Sequence, residues 1–234
     1  MKLQFLGDSR DSFKWDLLHH VVTSTQPAFR ELVFVPMMTP DVPGLGHGAI
    51  PAAQYPARPK VLEFVHSLRI PPRSFKRVAL LGSITDMPSF NVHVHGPEQQ
   101  IGFGWQRHFY WQPLLEKPHV ETLLFIDPDN GFETKNKAGE QHLRYGEAAT
   151  LLSRLPATSA IAVFQYRPQG QSWNVVFDRI DNSFPDSFEY VAIHHGQVAF
   201  IFIGHSAVVR AVTSSVEEYG RSQQGLHVRR KEGA

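Results

Sequence analysis

The sequence predicts an α/β fold: a mostly parallel sheet with helices on both faces and an antiparallel hairpin toward the C-terminus. Three observations predict it. Continuous apolar runs such as "ELVFVPMM" (31–38) and "ETLLFID" (121–127) read as strands buried on both faces. Amphipathic stretches of helical period alternate with such runs, the pattern of parallel strands joined by right-handed crossovers. Finally, "EYVAIHH" (189–195) and "VAFIFIG" (198–204) are joined only by Gly196 and Gln197, and strands linked so tightly must be antiparallel.

Taken in order, "SRDSFKWDLLHHVV" (9–22) opens with polar capping residues. It then sets Phe13, Leu17, Leu18, Val21 and Val22 on one helical face, with His19 and His20 on its surface and flank. The first strand follows at 31–38. Residues 39–59 are rich in proline and glycine and predict a loop or insertion. Pro59 suits the first position of a helix whose apolar face is Val61, Leu62, Val65 and Leu68. "RVALLG" (77–82) and the alternating "FNVHVHG" (90–96) predict two further strands. "GFGWQRHFYWQPLL" (102–115) predicts a helix or turn-helix with core-facing rings, the alternative being a surface that stacks bases. The strand at 121–127, a helix at 145–155, a strand at 159–166 and a helix at 172–184 complete the alternation before the hairpin. The boundaries implied are one α/β domain over 1–213 and a polar tail over 214–234.

The chain has 234 residues and a formal net charge of +1, so any nucleic-acid contact needs a local basic patch rather than a global field. With no cysteine, disulfides, thiolate metal sites and thiol nucleophiles are excluded. The N-terminus lacks the pattern of a signal peptide, and no apolar run approaches the roughly 20 residues needed to span a bilayer. The expectation is a cytoplasmic protein with no membrane partner. Neither a GxxxxGK[ST] loop nor a G-x-S-x-G elbow is present.

In open α/β sheets ligands bind beyond the carboxyl ends of the strands. Residues 36–41, 83–86, Asp127 and 165–167 fall at such ends, which predicts one shared crevice. The strand ending "FIDPDNGF" and the order of elements resemble class I S-adenosylmethionine-dependent methyltransferases, a Rossmann-like family. "FKWDLLHH", a lysine-bearing helix just before the first strand, is similar to ribosomal RNA adenine-N6 methyltransferases and three-Cys-motif partner proteins. The resemblance implies a methyltransferase-like domain that moves a methyl group from S-adenosylmethionine to an amino group, on nucleic acid or a nucleotide. It gives catalytic roles to Asp127, Pro128 and Asn130, with the Asp127 carboxylate and the Pro128 carbonyl orienting the target nitrogen. It places Lys14, Pro36, Met37, Thr39, Asp41 and Ser83 around the cofactor. Phe132 and the basic Lys135, Lys137, Arg144 and Arg167, by their position beside the proposed crevice, are the candidates to contact the substrate, a solvated loop being the plainer reading of the lysines. The family's early glycine-rich loop is replaced by "VPMMTPDVPGLGHG", in which Gly44, Gly46 and Gly48 come late.

Two other readings stay open. Asp127 and Asp129 could hold Mg²⁺ in a metal-dependent phosphoesterase or nuclease. Loss of the glycine-rich loop fits a non-catalytic nucleotide-binding or scaffold protein of the same fold. "DPDNG" is also composed of turn formers, which by itself would account for it. His93 and His95 share one side of an extended stretch and could ligate a metal, although alternation alone places polar residues there.

Overall fold

The computed structural model describes residues 1–26, 29–41, 55, 57–134, 139–223 and 225–231. Helix α1 (Ser9–Ser24) starts where the Asp8 carboxylate accepts from the Arg10 and Asp11 amides, satisfying donors the helix cannot. Strand β1 (Glu31–Pro36) follows, and α2 (Pro59–Leu68) begins on its proline. Then come β2 (Asn91–Val94), α3 (Trp105–Glu116), β3 (Thr122–Asp127), α4 (Tyr145–Arg154) and β4 (Ala160–Tyr166). The chain ends with α5 (Trp173–Ser183), β5 (Phe188–His195), β6 (Val198–His205), α6 (Ser206–Ser222) and β7 (His227–Arg230).

The strands form a seven-stranded mixed sheet in the order β2-β1-β3-β4-β6-β5-β7. β2, β1, β3 and β4 pair in parallel, whereas β4–β6, β6–β5 and β5–β7 are antiparallel. Successive residues of β3 go to opposite faces. Leu123 and Phe125 join a core with α1, α2 and α6, and Leu124 and Ile126 join a core with α3, α4 and α5. Continuous apolar strands are therefore the signature of a sheet covered on both sides. Among the described residues no helix is long and apolar enough to cross a membrane.

Three expectations are corrected. "RVALLG" is not a strand: Phe75–Ser83 is a 3₁₀ helix whose buried Phe75, Val78 and Leu81 recur every third residue. Ser83 is therefore exposed at the end of that helix rather than at the carboxyl end of a strand, its hydroxyl donating to the Leu80 carbonyl. The segment after Thr213 is not a polar tail. α6 runs on to Ser222 with Val216 and Tyr219 buried, and β7 adds an edge to the sheet beside β5. The rings of α3 divide: Tyr110 and Trp111 are buried, while Trp105 and Phe109 stand exposed beside Phe103.

Because α6 covers its second side, α1 is buried almost all round, and His19 lies in the core rather than on the surface. Asp16 there accepts from Arg58 Nε at 2.6 Å and from the Tyr219 hydroxyl at 3.0 Å. Burial and the neighbouring Arg58 guanidinium push the His19 imidazole from 6.5 down to about 4. Between those pH values the unfolded chain binds the proton more tightly, so stability falls as pH drops through the window, by about 3 kcal/mol in the limit. Asp8 works in the opposite sense: burial and Asp11 raise its carboxyl from 3.8 to about 6, so its contribution declines as pH rises through that range. His19→Gln is accordingly expected to remove part of the acid-side loss seen in urea melts from pH 4 to 7. An acid limb unchanged from the wild type would refute this.

Candidate functional site

β1 is flanked by β2 on one side and β3 on the other, so the strand order reverses between β1 and β3. A crevice outside the carboxyl ends is expected at such a point. Pro36 ends β1 in register with Asp127, which ends β3. Asp127 is 2% exposed, and its Oδ2 accepts from Lys14 Nζ at 2.7 Å. It lines a cavity of about 350 Å³ together with Lys14, Asp8, Arg10, Asp11 and Tyr166; Pro128, Asp129 and Asn130 also border it. Asp127 is thus held by a side chain from α1 and not by its own turn. The turn is built from other parts of "DPDNG". The Asn130 amide donates to the Gln141 carbonyl, and Gly131, at φ +84, leaves room where a Cβ would lie 2.4 Å from the Gln165 side chain.

The cavity has balanced charge. Lys14 sits between Asp11 at 2.8 Å and Asp127 at 2.7 Å. Burial would lower its ammonium pKa, but Asp11 and Asp127 together raise it above the ordinary lysine value. Burial pushes the Asp127 carboxyl up, outweighing the pull of Lys14. Asp129 goes the other way. Burial there is overcome by the Met1 ammonium at 2.9 Å and by bonds from Lys2 and Thr39, so its carboxyl lies below the usual range. Arg10 lies over the Tyr166 ring, 5.2 Å from its centroid.

The residues expected around a cofactor are largely taken up by the first residues of the chain. The Met37 carbonyl accepts from the Met1 ammonium, and the Thr39 amide donates to the Met1 carbonyl. Lys2 reaches the Thr39 hydroxyl at 3.2 Å, and Asp41 accepts from the Gln4 amide. The Pro36 carbonyl accepts from the Tyr110 hydroxyl at 2.7 Å. Of the cofactor set, only Lys14 lines the cavity.

The expected substrate residues also scatter. Phe132 is buried, stacked on Tyr145 with centroids 4.7 Å apart, and cannot cover a ligand. Arg144 lies on a separate groove of about 520 Å³ between α3 and α4. Arg167 borders a further cavity of about 500 Å³ that shares Asn130 and Tyr166 with the Asp127 cavity. Lys135, Lys137, Gly44, Gly46 and Gly48 lie outside the described residues. His93 is exposed, whereas His95 is buried with Nε2 against the Tyr110 carbonyl, so the two do not converge. Among the described residues no group of three or more His, Asp or Glu side chains is arranged to hold a metal ion.

Tyr166 falls within the strand end 165–167 expected to border the crevice, whereas sequence reasoning missed Arg10 as a cavity wall and weighed Asp8 and Asp11 only as further acids for a metal. A signal was present: Asp8, Asp11 and Lys14 recur at three-residue intervals, which brings the last two together on one helical face.

No family model matches the chain, and no curated protein matches it. Solved structures similar to it include Legionella pneumophila protein LPL1258, of family DUF519. That protein is 13% identical, with 97% of this chain and 98% of that chain covered and a TM-score of 0.46.

Proposed function

We propose that the protein is a methyltransferase-like enzyme acting on an amino group, with Asp127 as the acceptor that orients the target nitrogen. One observation carries the reading: the Asp127 carboxylate borders a cavity at the reversal of strand order, with Oδ2 held by Lys14 and no hydrogen bond to Oδ1 among the described residues. The order of elements and the reversed β6 within a parallel set resemble the class I methyltransferases. The cavity walls suit a zwitterionic, sulfonium-bearing cofactor better than the residues after β1 do. Arg10 would take its carboxylate, Asp8 its ammonium, and the Phe5 and Tyr166 rings its flat part. S-adenosylmethionine would supply an electrophilic methyl group there. The chain's own work is positional: Oδ1 of Asp127 and the Pro128 carbonyl accept from the target amino group and aim its lone pair. The neighbouring cavity with Asn130, Tyr166 and Arg167 gives the rest of a nucleotide or nucleic-acid substrate a place to lie.

The phosphoesterase reading is disfavoured because Asp127 and Asp129 are each already neutralised by a lysine. Non-catalytic binding is the second reading, favoured by the contacts of Met1, Lys2 and Gln4 that fill the end of β1.

Thermal melts separate these. S-adenosylmethionine and its demethylated product are expected to raise the midpoint, since saturation at about 100 times Kd adds about 2.7 kcal/mol. Asp127→Ala is expected to keep that rise yet lose transfer of labelled methyl groups to bulk RNA, DNA or nucleotides. A rise with nucleotides alone supports the binder. No rise with either sulfur compound sinks the methyl-transfer reading.

A further inference from the structure

We infer that Lys14 is a positioning residue for Asp127: its ammonium takes Oδ2 and so turns Oδ1 to the cavity as the acceptor offered to a ligand. This rests on the reading of Asp127 above and departs from the resemblance, which would give Lys14 to the cofactor. The geometry is that of a fixed relay. The Gly7 amide donates to Asp11 Oδ2 at 2.6 Å, Asp11 Oδ1 receives Lys14 Nζ at 2.8 Å, and Lys14 Nζ reaches Asp127 Oδ2 at 2.7 Å. Gly7 itself is set by a close approach. At φ +84, a Cβ there would lie 2.5 Å from the Arg69 side chain and 2.9 Å from the Val65 carbonyl. The Lys14 ammonium also lies 4.6 Å from the centroid of the Phe164 ring on β4, which limits its motion on the remaining side.

Such a lysine is poorly placed as a cofactor ligand. Its side chain is 4% exposed, and two carboxylates already claim it. It is well placed to fix a rotamer, because Asp11 and Lys14 are three residues apart on one helical face and both are anchored. The groups that act on Asp127 come from every neighbouring segment: Lys14 and Asp11 from α1, the N-terminal ammonium, and Tyr166 from β4. Asp129, with Lys2, completes the charged wall. Removing Lys14 leaves Asp127 in a buried setting without its nearest cation, which favours the neutral acid. A protonated Asp127 would offer a donor where the site offers an acceptor.

The test is the titration of the Asp127 carboxyl carbon, followed by NMR in ¹³C-aspartate-labelled protein, beside the melting rise given by S-adenosylmethionine. In Lys14→Met the carboxyl midpoint is expected to rise by at least one pH unit, a tenfold change in its ionisation constant. Where that variant does not fold, Lys14→Gln serves. It keeps a polar side chain but removes the cation beside Asp127, so the midpoint is again expected to rise. A midpoint unmoved in the variant that folds overturns the inference. A midpoint that moves while the wild type shows no melting rise with S-adenosylmethionine upholds the positioning role and removes the methyl-transfer reading.

Discussion

Trp15→Ala is expected to cost about 3–5 kcal/mol, toward the upper end for large-to-small changes in a core. Trp15 is fully buried on α1 and meets three rings edge-on: Phe34 at 5.0 Å, Phe125 at 5.7 Å and Phe64 at 6.5 Å. It thereby ties α1 and α2 to the first two central strands, and each edge-to-face pair adds to the area it buries. For a chain of this size the loss corresponds to a fall in melting midpoint of roughly 10 °C. Trp15→Phe is expected to cost much less. It keeps a ring against the same neighbours and removes an indole N–H that is buried without a hydrogen-bond partner among the described residues. Equal losses for the two variants would show that the edge-on contacts do not hold α1 in place.

Arg107→Ala is the second large effect, again about 3–5 kcal/mol, because it breaks a buried ion pair by removing one partner. Arg107 on α3 is 2% exposed. It binds Glu147 of α4 in bidentate fashion, with Nη2–Oε2 at 2.7 Å, and also donates to the His142 carbonyl at 2.6 Å. Glu147 in turn accepts from the Arg144 amide at the start of α4. The substitution therefore leaves Glu147 the Arg144 amide but no cation, takes a donor from the His142 carbonyl, and loosens the junction of two helices. Replacing both partners, as Arg107→Met with Glu147→Leu, is expected to recover most of the loss in chemical denaturation. Were the double variant as unstable as Arg107→Ala, the pair would not be the source of the cost.

Two arginines, Arg10 and Arg107, illustrate what a sequence can and cannot separate. Arg107 stood among rings as a base-stacking candidate, yet it is a buried structural cation. Arg10 drew no notice and lines the cavity. Both lie on helices, and the choice between core and cavity depends on what the next layer does with that face.

The sequence by itself determined the alternation of strands and helices, the buried character of 31–36 and 122–127, the hairpin of β5 and β6, and the place of Asp127 at a strand end. These are properties of local period and of turn chemistry, which act within a few residues. Tertiary structure alone decided the rest. Residues 75–83 form a 3₁₀ helix that buries Phe75, Val78 and Leu81 against the core, although the same apolar run suits a strand and only that packing chooses between them. Packing made a helix of "SAVVRAVTSSVEEYGRS", whose β-branched residues and serines favour helix weakly, and that helix buried α1 on its second side. The Lys14–Asp127 pair joins residues 113 positions apart. No local pattern encodes it, because the energy of burying two charges together exists only once the sheet has brought α1 over the end of β3.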